Sequence, residues 1–134
     1  MLAFFTIVVA NTATAGPCDK MPDDFFLLDA VPQARDVGID YSHELTQAFQ
    51  KDPEALEKLF TVSGSLDGSG AQTHAGILYA LLECWGDSAF AAALKREPTT
   101  ICSRVLEYLH YDTAESGGYE STYPATSALR NACL

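Results

Sequence analysis

Residues 69–86 read SGAQTHAGILYALLECWG. Ile77, Leu78, Leu81, Leu82 and Trp85 recur at intervals of three and four, the spacing that lines one face of a helix with apolar side chains. Gly86 closes the run as a C-terminal stop. Ser69 and Gln72 form the Ser-x-x-Gln pattern of a capping box, so the helix is expected to open at Ser69. No β-branched run elsewhere alternates with polar residues over several positions, and strands are not expected.

Helix punctuation continues on both sides of this segment. Asp52-Pro53-Glu54 supplies a capping acid, a proline at the first helical position and a second acid in the first turn. Leu56, Leu59 and Phe60 follow at helical spacing, and Ser63-Gly64 ends that helix. Asp87 reads as the cap of a helix from Ser88 to Arg96, striped by Phe90, Ala93 and Leu94. Pro98 breaks the chain. Thr99 or Thr100 then caps a helix carrying Ile101, Cys102, Val105, Leu106 and Leu109. Upstream, Ser42 reads as the cap for Leu45, Ala48 and Phe49, and Asp23 opens a short helix from Phe25 to Val31 that Pro32 stops. From Asp112 the chain turns loop-like, with a short turn over residues 125–132. The expected fold is all-α: five or six helices of about 8 to 15 residues, in a compact orthogonal bundle or a small stack of helical hairpins, stabilised by disulfides.

Residues 1–15 stand apart from that pattern. Leu2 to Ala10 is apolar except for Thr6, and Ala13-Thr14-Ala15 makes a small-residue cleavage site before Gly16, the layout of a secretory signal peptide. No Lys or Arg precedes the apolar run. Its length is about half of the roughly 20 residues that span a bilayer, so no stable membrane insertion is expected once it is removed. Gly16-Pro17-Cys18 is not a lipoprotein box, because a small residue is needed where Pro17 stands. The expected organisation is a signal peptide at 1–15, a helical domain at 16–111 and a loop-rich C-terminal extension at 112–134 pinned to the domain. Such a protein would be secreted or periplasmic.

Export makes the cysteines informative. Cys18, Cys84, Cys102 and Cys133 are an even set, expected to form two disulfides. The pairing favoured by position is Cys18–Cys133, closing the ends, with Cys84–Cys102 inside the helical part. No C-x-x-C spacing supports a zinc knuckle or a redox motif. The charge is equally one-sided: 18 Asp plus Glu against 8 Lys plus Arg, a net of -10. Such a surface repels nucleic-acid phosphates and anionic lipid heads and steers a cationic partner toward itself.

The candidate chemistry is sparse. His74, in the first turn of the central helix, is a candidate general base with Asp67 or Glu83 as its acidic partner. Its structural alternative is a core-edge histidine bonded to the loop from Asp67 to Gly70. His43-Glu44 and His110-Tyr111-Asp112 sit at helix ends, where dipole effects account for them. No His-Glu-x-x-His pair exists, and Asp67-Gly68-Ser69-Gly70 lacks the ligand pattern of a calcium loop and the lysine of a phosphate loop. No metal or cofactor is expected. The aromatic and acidic residues Tyr108, Tyr111, Asp112, Glu115, Tyr119, Glu120 and Tyr123 cluster late in the chain and form a candidate surface for a basic protein or peptide, since tyrosine offers large contact area at small entropic cost. The leading expectation is an exported acidic interaction module, such as an inhibitor or immunity-type protein. The alternatives are a small hydrolase or lyase using His74, and a purely structural role.

Overall fold

A computed structural model describes residues 16–19, 21 and 29–133 of the chain. The expected signal peptide and most of the expected helix from Phe25 lie outside the described residues. Among those described, every regular element is helical. Seven helices are present where five or six were expected: α1 (Ala30–Asp36), α2 (Tyr41–Phe49), α3 (Pro53–Val62), α4 (Gly68–Trp85), α5 (Asp87–Lys95), α6 (Thr99–Thr113) and α7 (Pro124–Ala128). A 3-10 turn, Ala114–Ser116, follows α6, and a single closing turn, α8, spans Arg130–Cys133. α7 is a helix where only a short turn was expected, and α1 overlaps the end of the expected Phe25–Val31 helix and passes through Pro32 instead of stopping at it. Proline is tolerated there because N–H groups of a first turn have no partner within the helix.

α4 is the organising element and packs against α1, α2, α5 and α6. Its stripe behaves as its spacing predicts, with Ile77, Leu78, Leu81 and Leu82 wholly buried. Trp85 is half-buried and donates from its indole N–H to the Ala48 carbonyl at 2.9 Å. Gly86 then adopts φ +80, the left-handed region where a side chain is strained, and the chain bends by 119° into α5. α5 lays Phe90 edge-on against Phe60 of α3, with ring centroids 5.1 Å apart. Among the described residues no single helix is long and apolar enough to cross a membrane.

Several helix starts differ from the local reading. Asp52 does cap α3, accepting from the Glu54 N–H at 3.0 Å. For α2 the cap is Asp40, which accepts from the His43 N–H, and not Ser42. The capping box at Ser69 does not form. α4 begins one residue earlier, Ser69 turns its hydroxyl to Asp29, and Gln33 of α1 grips Asp67 through both its backbone and side chain. Gly70 permits this, since a Cβ there would meet Gln33 and the Ala30 nitrogen at 3.2 Å. α6 starts behind Pro98 without a threonine cap.

Asp87 does not cap its own helix either. It reaches across to α7, where its two oxygens accept from the N–H groups of Ala125 and Thr126 at 2.7 and 2.8 Å. Burial alone would raise this carboxyl, but the hydrogen bonds from Thr126 and Ala125 outweigh it and hold the group below its ordinary value. Two of the orphan donors of α7 are thereby satisfied by a residue far away in sequence.

The disulfides correct the expected pairing. The bonds are Cys18–Cys84 and Cys102–Cys133, not Cys18–Cys133 with Cys84–Cys102. Each ties a chain end to a different core helix: Cys18 to the end of α4, and Cys133 to the first turn of α6. In the chain-entropy picture each bond contributes about 4 kcal/mol. Non-reducing peptide mapping should therefore recover a Cys18–Cys84 and a Cys102–Cys133 peptide, and the double variant C102S/C133S should lose about 3 to 4 kcal/mol in urea unfolding. Separately, Asp87→Ala, which leaves two N–H groups of α7 unpaired, should cost about 1 to 2 kcal/mol by the same assay.

Candidate functional site

His74 is drawn entirely out of solvent. Its Nδ1 lies 2.6 Å from the Tyr41 hydroxyl and its Nε2 lies 2.8 Å from Ser63 Oγ. Tyr41 and Ser63 are themselves wholly buried. Burial pushes the imidazole down to about 3, against a smaller opposing pull from the Leu59 carbonyl, and pushes the Tyr41 hydroxyl well above its usual range. Both groups are therefore neutral, and one proton arrangement serves every atom. Tyr41 O–H donates to Nδ1, Nε2–H donates to Ser63 Oγ, and the Ser63 hydroxyl donates to the Leu59 carbonyl at 3.2 Å. Tyr108 closes the layer, its ring edge-on to the imidazole at 5.8 Å and its hydroxyl donating to the Ser63 carbonyl at 3.1 Å.

This corrects the expected partners of His74. It hydrogen-bonds neither Asp67, which is exposed and held by Gln33, nor Glu83, which is exposed on α4. Tyr41 and Ser63 were not anticipated as its partners. Ser63 reads locally as a helix terminator, and Tyr41 lies just ahead of the expected cap at Ser42, so neither signals a histidine partner. A serine, a histidine and an orienting hydroxyl at hydrogen-bond spacing make a nucleophile–base geometry, and all three are buried from solvent.

The late tyrosines and acids divide into two groups. Tyr108 and Tyr119 go into the core, and the Tyr119 hydroxyl has no hydrogen-bond partner among the described residues. Burial pushes Tyr119 up to about 12. Tyr123 is half-buried, edge-on to Tyr79, and desolvation also pushes it up to about 12. Glu120 is taken up by a hydrogen bond with His110 at 2.9 Å and an ion pair with Arg130 at 3.1 Å, and the hydrogen bond with His110 is the main cause of its lowered pKa. Of these four, only Tyr108 also lines a surface groove shared with Tyr111.

Tyr111, Asp112 and Glu115 do remain together at the surface. Tyr111 is 62% exposed, and among the described residues only Val37 is another large apolar side chain left so open. The ring stands as a ridge between two concavities. One, of about 340 Å³, runs between α4 and α6 and is lined by Ala71, Gln72, Arg104, Glu107, Tyr108 and Tyr111. The other, of about 370 Å³, is lined by Tyr111, Asp112, Ala114 and Glu115. Asp112 leans on α4 at Gly76, and partial burial raises its carboxyl above the ordinary value. No ion pair or hydrogen bond among the described residues satisfies that side chain. Among the described residues no group of three or more His, Cys, Asp or Glu is placed to hold a metal. No family model, curated protein or solved structure matches the chain.

The sealed imidazole makes stability depend on pH. Folded His74 stays neutral down to about 3, while the unfolded ring protonates near 6.5. Between those values the unfolded state binds the extra proton, so the contribution is complete above about 6.5 and is lost as pH falls. The slope is on the order of 1 kcal/mol per pH unit. Urea titrations from pH 7 to 3.5 should show that slope in the native protein, and His74→Gln should remove it whatever it does to stability at pH 7.

Proposed function

We propose that this chain is an exported acidic interaction module that binds a cationic protein or peptide, in the manner of an inhibitor or an immunity-type protein. The observation that carries the reading is the unequal use of charge. Glu44, Glu54, Glu57, Glu107 and Glu120 are the described carboxylates engaged in ion pairs, and they take up Lys58, Arg96, Arg104 and Arg130 in doing so. Arg35, Lys51 and Lys95 are what is left of the described Lys and Arg against all the remaining acids, in a chain of net charge -10. Unneutralised negative charge of this size speeds the approach of a basic partner and discourages acidic ones. The two disulfides accord with an oxidising compartment, where secreted and periplasmic proteins reside. A hydrolase or lyase reading built on His74 is favoured less, because Asp67 and Glu83 do not hydrogen-bond the ring and the ring is buried.

The test is electrostatic. A fluorescent oligolysine should bind the protein at low salt and lose most of its affinity near molar salt, where the screening length falls to about 3 Å, and oligoglutamate should not bind. Affinity for oligolysine that ignores salt, or equal binding of both probes, would defeat the reading.

A further inference from the structure

Resting on that reading, we infer that the groove between α4 and α6 is the anchoring site, and that its ligand is a linear segment bearing an apolar side chain two positions before an arginine or lysine. Exposed ion pairs by themselves hold weakly, because water and salt screen them. A specific partner must therefore also bury something. The groove offers about 340 Å³ with a predominantly apolar lining, bounded on one side by the exposed Tyr111 ring. The Tyr111 hydroxyl lies 3.5 Å from Gln72 Nε2, which links its rim to α4.

Charge sets the direction in which a ligand lies. At one end Arg104 is already committed, with its guanidinium 5.0 Å above the Tyr108 ring and 3.4 Å from Glu107. It has no free charge to offer an anion. Across the Tyr111 ring, one helical turn beyond Tyr108 and in the adjoining concavity, the Asp112 carboxylate is partly desolvated and without a partner among the described residues, with Glu115 beside it. A cation placed there regains the solvation that burial removed. One turn of α6 is about 5.4 Å, and same-face residues on an extended chain are about 6.6 Å apart, so an apolar-x-basic segment spans from groove to carboxylate.

Two labelled peptides of identical charge distinguish this site from general charge attraction, one with leucine two positions before each arginine and one with serine there. Measured by anisotropy on the disulfide-bonded protein, the leucine peptide should bind about tenfold more tightly. Tyr111→Ala should remove that advantage, and Gln72→Trp, which fills the groove from an exposed position, should do the same. Asp112→Asn should weaken both the affinity and its salt dependence. Far-ultraviolet circular dichroism of each variant verifies that the fold is kept. Equal affinity for the two peptides, or a leucine advantage that survives both groove variants, overturns the groove while leaving the charge reading intact. Failure of both peptides to bind at low salt overturns both readings.

Discussion

The hydrogen-bonded layer around His74 is the constraint on which the rest of this structure depends. A single imidazole accepts a hydrogen bond from Tyr41 at the start of α2 and donates one to Ser63 at the end of α3. It is itself carried by α4 and covered by Tyr108 of α6. Four helices thus meet at one polar point in a largely apolar core. An unpaired polar group there would cost about 1 to 3 kcal/mol, so the helices are held in the one register that pairs them all. Hydrophobic burial alone is non-directional and would tolerate neighbouring arrangements. The polar layer does not.

The ends of the helices follow the same logic with partners distant in sequence. Gln33 of α1 grips Asp67, Asp29 takes the Ser69 hydroxyl, and Asp87 satisfies the start of α7. With Cys18–Cys84 and Cys102–Cys133, these contacts fasten both chain ends to α4 and α6. The C-terminal segment is secured further by Glu120, which joins His110 on α6 to Arg130 on α8. α6 and the 3-10 turn after it thereby become a tethered support, α6 carrying Tyr111 and Asp112 and the turn carrying Glu115. A surface mounted on a fixed helix loses little entropy when a partner docks.

Much of the candidate site was legible at the level of residue type and less of it at the level of position. The cluster of late tyrosines and acids is visible in the chain as a run of chemistry suited to a basic partner. Which members face outward was not visible, because Tyr108, Tyr111 and Tyr119 are chemically equivalent until packing assigns Tyr108 and Tyr119 to the core and leaves Tyr111 open. His74 likewise stood out as a titratable group on an apolar helix. Its partners did not, since Ser63 carries a helix-end signal of its own and nothing around Tyr41 in the chain points to a histidine.

The chain by itself determined the helical class, the apolar stripe of α4, the Asp52-Pro53 start, the Gly86 stop and the surplus of negative charge. Each of these rests on interactions within a turn or two of backbone, or on a simple sum of charges. Tertiary structure decided the disulfide pairing, the sealing of His74, the passage of α1 through Pro32 and the use of Asp29, Gln33 and Asp87 in place of the local cap at Ser69 and the self-cap at Asp87. The physical reason is competition. A capping side chain or a thiol has several partners of nearly equal intrinsic strength, and proximity in the folded chain, not the identity of its neighbours in sequence, selects among them.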